Sequence, residues 1–136
     1  MNPKRILVVD DEPVLLDALS TKLRAAGYEV LLAEDGASAV KAAREYPLDL
    51  ILLDITFPPD VGGGPSWDGF LILAWLRRSE EARDTPVILI SGDESPQVLK
   101  RAREAGALGF CPKPISDATL LAAVERALNG SCQATA

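Results

Sequence analysis

The chain has 136 residues, 48% of them hydrophobic and 25% charged, with a net charge of −6. That length suffices for one domain with a real core, and no apolar run approaches the roughly 20 residues of a membrane span. The acidic balance argues against a nucleic-acid binder, which needs clustered Lys and Arg for the phosphate backbone.

The amino terminus, MNPKRILVVDDEP, has a short apolar stretch that runs directly into acids, so no targeting segment is expected and the cytoplasm is the default compartment. Its apolar part, Arg5–Asp10, reads as a strand, and Pro13–Ala26 as a helix ended by Gly27 in a left-handed cap. Tyr28–Ala33 is the second strand; Asp35 is placed to cap a helix over Ala37–Tyr46. Leu48–Asp54 is the third strand, followed by a flexible loop with Gly62-Gly63-Gly64 and a helix over Asp68–Ser79. Pro86–Ser91 is the fourth strand, and Ser95 with Pro96 marks the start of a helix over Pro96–Ala105, ended by Gly106. The basic run Lys100-Arg101-Ala102-Arg103 on that helix reads as a solvated face. Ala107–Cys111 is the fifth strand, and Ser116 precedes a helix over Asp117–Asn129.

Near-continuous apolar strands suit a sheet covered on both faces, and strict alternation with helices implies right-handed crossovers. The expected fold is α/β, a doubly wound five-stranded parallel sheet with helices on both faces. Residues 1–130 form one domain in this reading, and 131–136 a disordered tail. Cys111 and Cys132 stand far apart with no ligand-like spacing and read as free thiols. Histidine is absent, so chemistry must rest on carboxylates, lysine and hydroxyls.

In an open parallel sheet, ligands bind beyond the carboxyl ends of the strands. Those ends carry Asp10-Asp11, Asp54, Ser91 and, just past the fifth strand, Lys113. Gathered carboxylates repel one another unless a cation joins them, and oxygen ligands suit Mg²⁺. A lysine can neutralise phosphoryl oxygens, a serine can donate to them, and Gly92 leaves room beside Ser91. Together these are the parts of acyl-phosphate formation. Each has a bland alternative: Asp10 or Asp11 as a cap for the helix near Pro13, Ser91 as a loop hydroxyl, Lys113 as a surface lysine. Only their coincidence at one sheet edge favours chemistry.

The segments ILVVDDEP at 6–13, LILLDITFP at 50–58, WDGF at 67–70, PVILISGD at 86–93 and AGALGFCPKPI at 105–115 resemble the receiver domains of response regulators. The resemblance implies the flavodoxin-like strand order 2-1-3-4-5. It implies Asp54 as phosphoacceptor and Mg²⁺ held by Asp10, Asp11, Asp54 and the Thr56 backbone carbonyl. Ser91 and Phe110 would be switch residues, and Lys113 the ion-pair partner of the phosphoryl group, before a cis bond to Pro114. It further implies a sensor histidine kinase or histidine phosphotransfer protein as donor and an unidentified downstream protein as target. The chain would catalyse only its own phosphoryl transfer and dephosphorylation. Two departures stand out: the Asp-Gly that follows the phosphoacceptor closely in the family stands farther off here, at Asp68-Gly69, behind an inserted DVGGGPS, and the aromatic is Phe110 rather than the commoner Tyr.

Two rival readings differ from this one at single residues. A haloacid-dehalogenase-like phosphatase needs a second acid two positions after the nucleophile, where this chain has Thr56. A receiver-fold binding module that works without phosphorylation is the other alternative; such modules typically lose an acid or the lysine, and none is missing here. On the third helix, Trp67, Leu71 and Trp75 fall on one stripe, expected to need cover by the inserted loop or a partner.

Overall fold

Each apolar run becomes a strand and each periodic segment a helix. The computed structural model describes residues 4–10, 12–54, 69–80, 82–91, 96–112 and 116–129. The elements alternate as β1 (Arg5–Val9), α1 (Pro13–Ala25), β2 (Glu29–Ala33), α2 (Gly36–Glu45), β3 (Leu50–Asp54), α3 (Gly69–Arg78), β4 (Val87–Ser91), α4 (Pro96–Glu104), β5 (Gly109–Pro112) and α5 (Asp117–Asn129). The five strands lie parallel in the order β2-β1-β3-β4-β5, as the resemblance implied.

Side chains alternate across the strands and so divide the core in two. Ile6, Val8, Leu50, Leu52, Ile88 and Ile90 meet Leu16, Leu19 and Leu23 of α1 and Leu120 and Val124 of α5. Leu7, Val9, Ile51, Leu53, Val87 and Leu89 meet Ala39 and Ala43 of α2, Ile72, Leu73 and Leu76 of α3, and Ala102 of α4. Every residue of the central strands β3 and β4 is buried, which explains why their sequence shows no polar alternation.

The local signals largely hold. The Ser38 amide donates to Asp35 Oδ1 at 2.7 Å, and the Thr119 amide to Ser116 Oγ at 3.1 Å. Gly27 and Gly106 have φ of 98° and 87°. Around each, the amide bonds expected of a Schellman turn form: Tyr28 to the Leu23 carbonyl and Gly27 to that of Arg24, then Ala107 to Ala102 and Gly106 to Arg103. Lys100, Arg101 and Arg103 are exposed while Ala102 is buried, so the basic run is a solvated face. Ser95, the Gly62–Gly64 loop, Gly92, Cys132, the Lys113–Pro114 bond and the tail 131–136 lie outside the described residues.

The expected apolar stripe on α3 needs revision at Trp75. Its ring is half-buried against the cluster on the α2–α4 face and lines a groove with α2, so α2 already supplies part of the cover. Trp67 lies outside the described residues, as does the side chain of Leu71.

Candidate functional site

Strand register sets the site. Val9 pairs with Leu53, so the next residues, Asp10 and Asp54, leave adjacent strands side by side, roughly 5 Å apart in backbone spacing. Asp54 pairs with Ile90, which places Ser91 one position farther along the neighbouring strand. Ser91 in turn pairs with Pro112, the residue before Lys113. Asp10, Asp54 and Ser91 are only 1%, 2% and 1% exposed, and all three stand at the carboxyl ends of neighbouring strands.

Parity separates their directions. Asp10 and Asp54 continue the alternation of Val8 and Leu52 toward α1 and α5, whereas Ser91 continues that of Leu89 toward α2–α4. Phe110 pairs with Leu89 and packs, half-buried, on the same side as Ser91. The serine at the site and the aromatic of the edge strand therefore share one face.

Asp10 combines the bland and the chemical readings. Its amide donates to the Ala33 carbonyl at 3.0 Å, holding it to β2. Its Oδ1 accepts the Glu12 amide at 2.9 Å, forming the turn into α1, while Oδ2 is shielded from solvent. Glu12, the N-cap residue of α1, makes no side-chain cap of its own, so the turn relies on Asp10 and on Pro13.

Two carboxylates buried side by side are stable where a cation reaches them. Their all-oxygen donor set fits Mg²⁺. Asp11, Thr56 and Lys113 lie outside the described residues, and among the described residues no group of three or more His, Cys, Asp or Glu comes together. A groove of about 660 Å³ between α2 and α3, lined by Ala37, Val40, Lys41, Arg44, Glu45 and Trp75, is the wrong place for the chemistry. Its described lining includes none of Asp10, Asp54 and Ser91, and Glu45 is the single carboxylate among those described residues.

The residues that sequence reasoning missed are those that brace this edge from the opposite end of the sheet. The Arg5 amide donates to Asp49 Oδ2 at 2.8 Å, and its guanidinium pairs with Glu29 at 3.0 Å and lies 5.6 Å from the Tyr46 ring. Arg77 donates to backbone carbonyls of three other residues of the 82–85 turn and to that of Gly106. Both depend on carbonyls or acids brought together by topology, for which the sequence carries no local signal.

The response regulator receiver domain family matches residues 6–125. The chain belongs to that family. This receiver is 34% identical to the DNA-binding dual master transcriptional regulator RpaA of Synechocystis, over 91% of this chain and 48% of that protein. The chain spans about half or less of the length of several of the curated relatives it matches. Among solved structures, the chemotaxis protein CheY4 of Vibrio cholerae superposes with a TM-score of 0.85 at 29% identity, covering 93% of this chain and 100% of that one. The receiver domain of the sensor histidine kinase PA1611 from Pseudomonas aeruginosa, with a magnesium ion coordinated in its active-site cleft, gives 0.81 at 28% identity, covering 94% and 99%. The chain is thus a receiver of two-component signalling, a class of generally non-enzymatic modules that work with histidine kinases and downstream effectors. No helix among the described residues is long and apolar enough to cross a membrane.

Proposed function

We propose that this receiver accepts a phosphoryl group on Asp54 from a phosphohistidine donor and thereby switches its binding to a downstream protein. The observation that carries the reading is the buried Asp54 carboxylate, in register between Asp10 and Ser91 at the carboxyl edge of the sheet. Asp54 attacks the phosphorus, the P–N bond to the donor imidazole breaks as the new P–O bond forms, and the imidazole leaves with a proton. Asp10, Asp11, Asp54 and the Thr56 carbonyl would hold Mg²⁺, which when bound offsets the charge of the phosphoryl oxygens. Lys113 ion-pairs with the same oxygens, Ser91 donates to them, and Phe110 follows Ser91 on their common face. The donor is a sensor histidine kinase or a phosphotransfer protein, and the only chemistry catalysed is the chain's own phosphorylation and dephosphorylation.

The test is incubation with acetyl phosphate and Mg²⁺, followed by intact-mass analysis and peptide mapping. One phosphoryl group should appear on the peptide containing Asp54 and be absent from Asp54→Asn. Phosphorylation that persists in that variant overturns the assignment. Wild-type protein that takes up no phosphoryl group would instead favour a receiver-fold module working without phosphorylation.

A further inference from the structure

Helix α2 presents two stripes of different character. Ala39 and Ala43 are buried in the core, while Ala37, Val40, Lys41 and Arg44 recur at i, i+3, i+4 and i+7. This second stripe and Trp75 of α3 line the groove of about 660 Å³ between the two helices. Val40 and Trp75 are half-buried there, whereas Lys41 and Arg44 are exposed. Among the described residues, neither Lys41 nor Arg44 makes an ion pair or a side-chain hydrogen bond, and the Trp75 indole N–H donates to nothing. Set against them is one carboxylate of the described lining, Glu45. The groove thus offers two cations and a neutral donor beside an apolar surface, on a chain whose net charge is −6.

We propose that the α2–α3 groove docks an acidic amphipathic helix of a partner protein. Lys41 and Arg44 stand one turn apart, about 5–6 Å between Cβ atoms, which matches carboxylates three or four residues apart on a facing helix. An apolar residue of the same helix packs on Trp75, a residue type that often carries much of the binding energy of an interface. A helix suits this groove better than an extended segment because both walls are helices. Their backbone groups are bonded internally, so an extended segment would find none to pair with, while a helix arrives with its own satisfied.

Other occupants fit less well. Four of the six described lining residues, Ala37, Lys41, Arg44 and Glu45, are exposed, so a small molecule would keep much of its surface in water. A second copy docked groove to groove about a twofold axis would set Lys41 and Arg44 against their own counterparts. Nothing in this docking requires a phosphoryl group on Asp54.

The test is selection from a phage-displayed library of helical peptides, each about 15 residues long, on the unphosphorylated full chain, followed by affinity measurement in solution. Enriched peptides should carry acids one turn apart beside a large apolar residue, and their helical content should rise on binding. Affinity should fall roughly tenfold for the double variant Lys41→Glu/Arg44→Glu at low ionic strength. A peptide with its acids changed to lysine should bind that variant better than it binds wild type. Trp75→Ala should abolish binding; since its ring also packs on the core, the exposed charge reversals decide the matter if this variant folds poorly. Enriched peptides that ignore both sets of changes, or a library that yields none, overturn the docking site. Peptides that bind in extended form overturn the helix. Sedimentation that reveals dimers broken by Val40→Asp would place a second copy in the groove and overturn the partner. In a Trp67→Phe background, acrylamide quenching of Trp75 that rises on deletion of Asp60–Ser66 would mean that the chain fills its own groove, which overturns it equally.

Discussion

At Asp54 the informative substitution is the amide isostere. Asp54→Asn keeps the volume of a side chain that is 2% exposed but cannot form an acyl phosphate. Removing one of two neighbouring buried carboxylates also relieves repulsion with Asp10, so phosphorylation should fall to background while stability changes by no more than about 1 kcal/mol, in either direction. Urea unfolding alongside the acetyl phosphate assay checks both, and a variant that loses its cooperative transition would show that Asp54 is needed for folding rather than chemistry. Cys111 presents the opposite case, a buried ionisable group with no catalytic part. Burial pushes its thiol up, a shift only partly offset by Arg126. A thiol raised in the folded state keeps its proton longer than in the unfolded chain. Its stabilising contribution is therefore complete below the unfolded thiol pKa, near 8.5, and is lost as pH rises through the folded value. In a Cys132→Ser background, a disulfide reagent at pH 8 should modify native Cys111 at least ~100-fold more slowly than the urea-unfolded chain. Comparable rates would mean the thiol is accessible in the fold.

Elements in this chain begin and end where single residues dictate, and two glycines separate two kinds of cost. Gly27 and Gly106 both close Schellman turns at positive φ. Nothing lies within 4 Å of a Cβ built at Gly27, whereas one at Gly106 approaches Arg77 at 3.4 Å. Gly27→Ala should therefore cost backbone strain alone, about 1 kcal/mol. Gly106→Ala should cost more, because the side chain it crowds is held by four carbonyls. Denaturant midpoints decide it, and equal losses would mean Arg77 yields freely. Replacing Asp35, whose Oδ1 accepts the Ser38 amide, by Ala should cost about 1 kcal/mol. These caps were legible because their chemistry is local: a side-chain oxygen and an amide three residues on, or a residue able to take positive φ. The extent of cover on α3 was not. Trp75 reads as part of an outward stripe in helical projection, yet α2 packs beside it, and a projection of one helix contains no neighbour.

For the molecule as a whole, the alternation of apolar runs and helical periods made the fold class legible, since a sheet buried on both faces leaves no polar alternation in β3 and β4. The site was legible through topology: once parallel strands are granted, Asp10, Asp54 and Ser91 must emerge on one edge, and register then sets them beside one another. What could not be read was the far edge, where Arg5 and Arg77 reach partners from 24 to 44 and up to 29 positions away. The acidic edge bears on global stability as well as on chemistry. Asp10 and Asp54 are both buried, and Asp11 follows Asp10 in the chain, so Mg²⁺ that binds the folded edge and not the unfolded chain must raise the melting temperature by mass action. At ten times its dissociation constant the gain is about 1.4 kcal/mol, a rise of a few degrees for a domain of this size. Because surface screening also responds to added ions, the comparison is made at constant ionic strength with Na⁺ replacing Mg²⁺. Asp11→Ala should lose most of the Mg²⁺-dependent rise while keeping its melting temperature in Na⁺ close to, or above, that of wild type, since one repelling charge has gone. An equal rise in wild type and Asp11→Ala would place the metal elsewhere on this acidic chain.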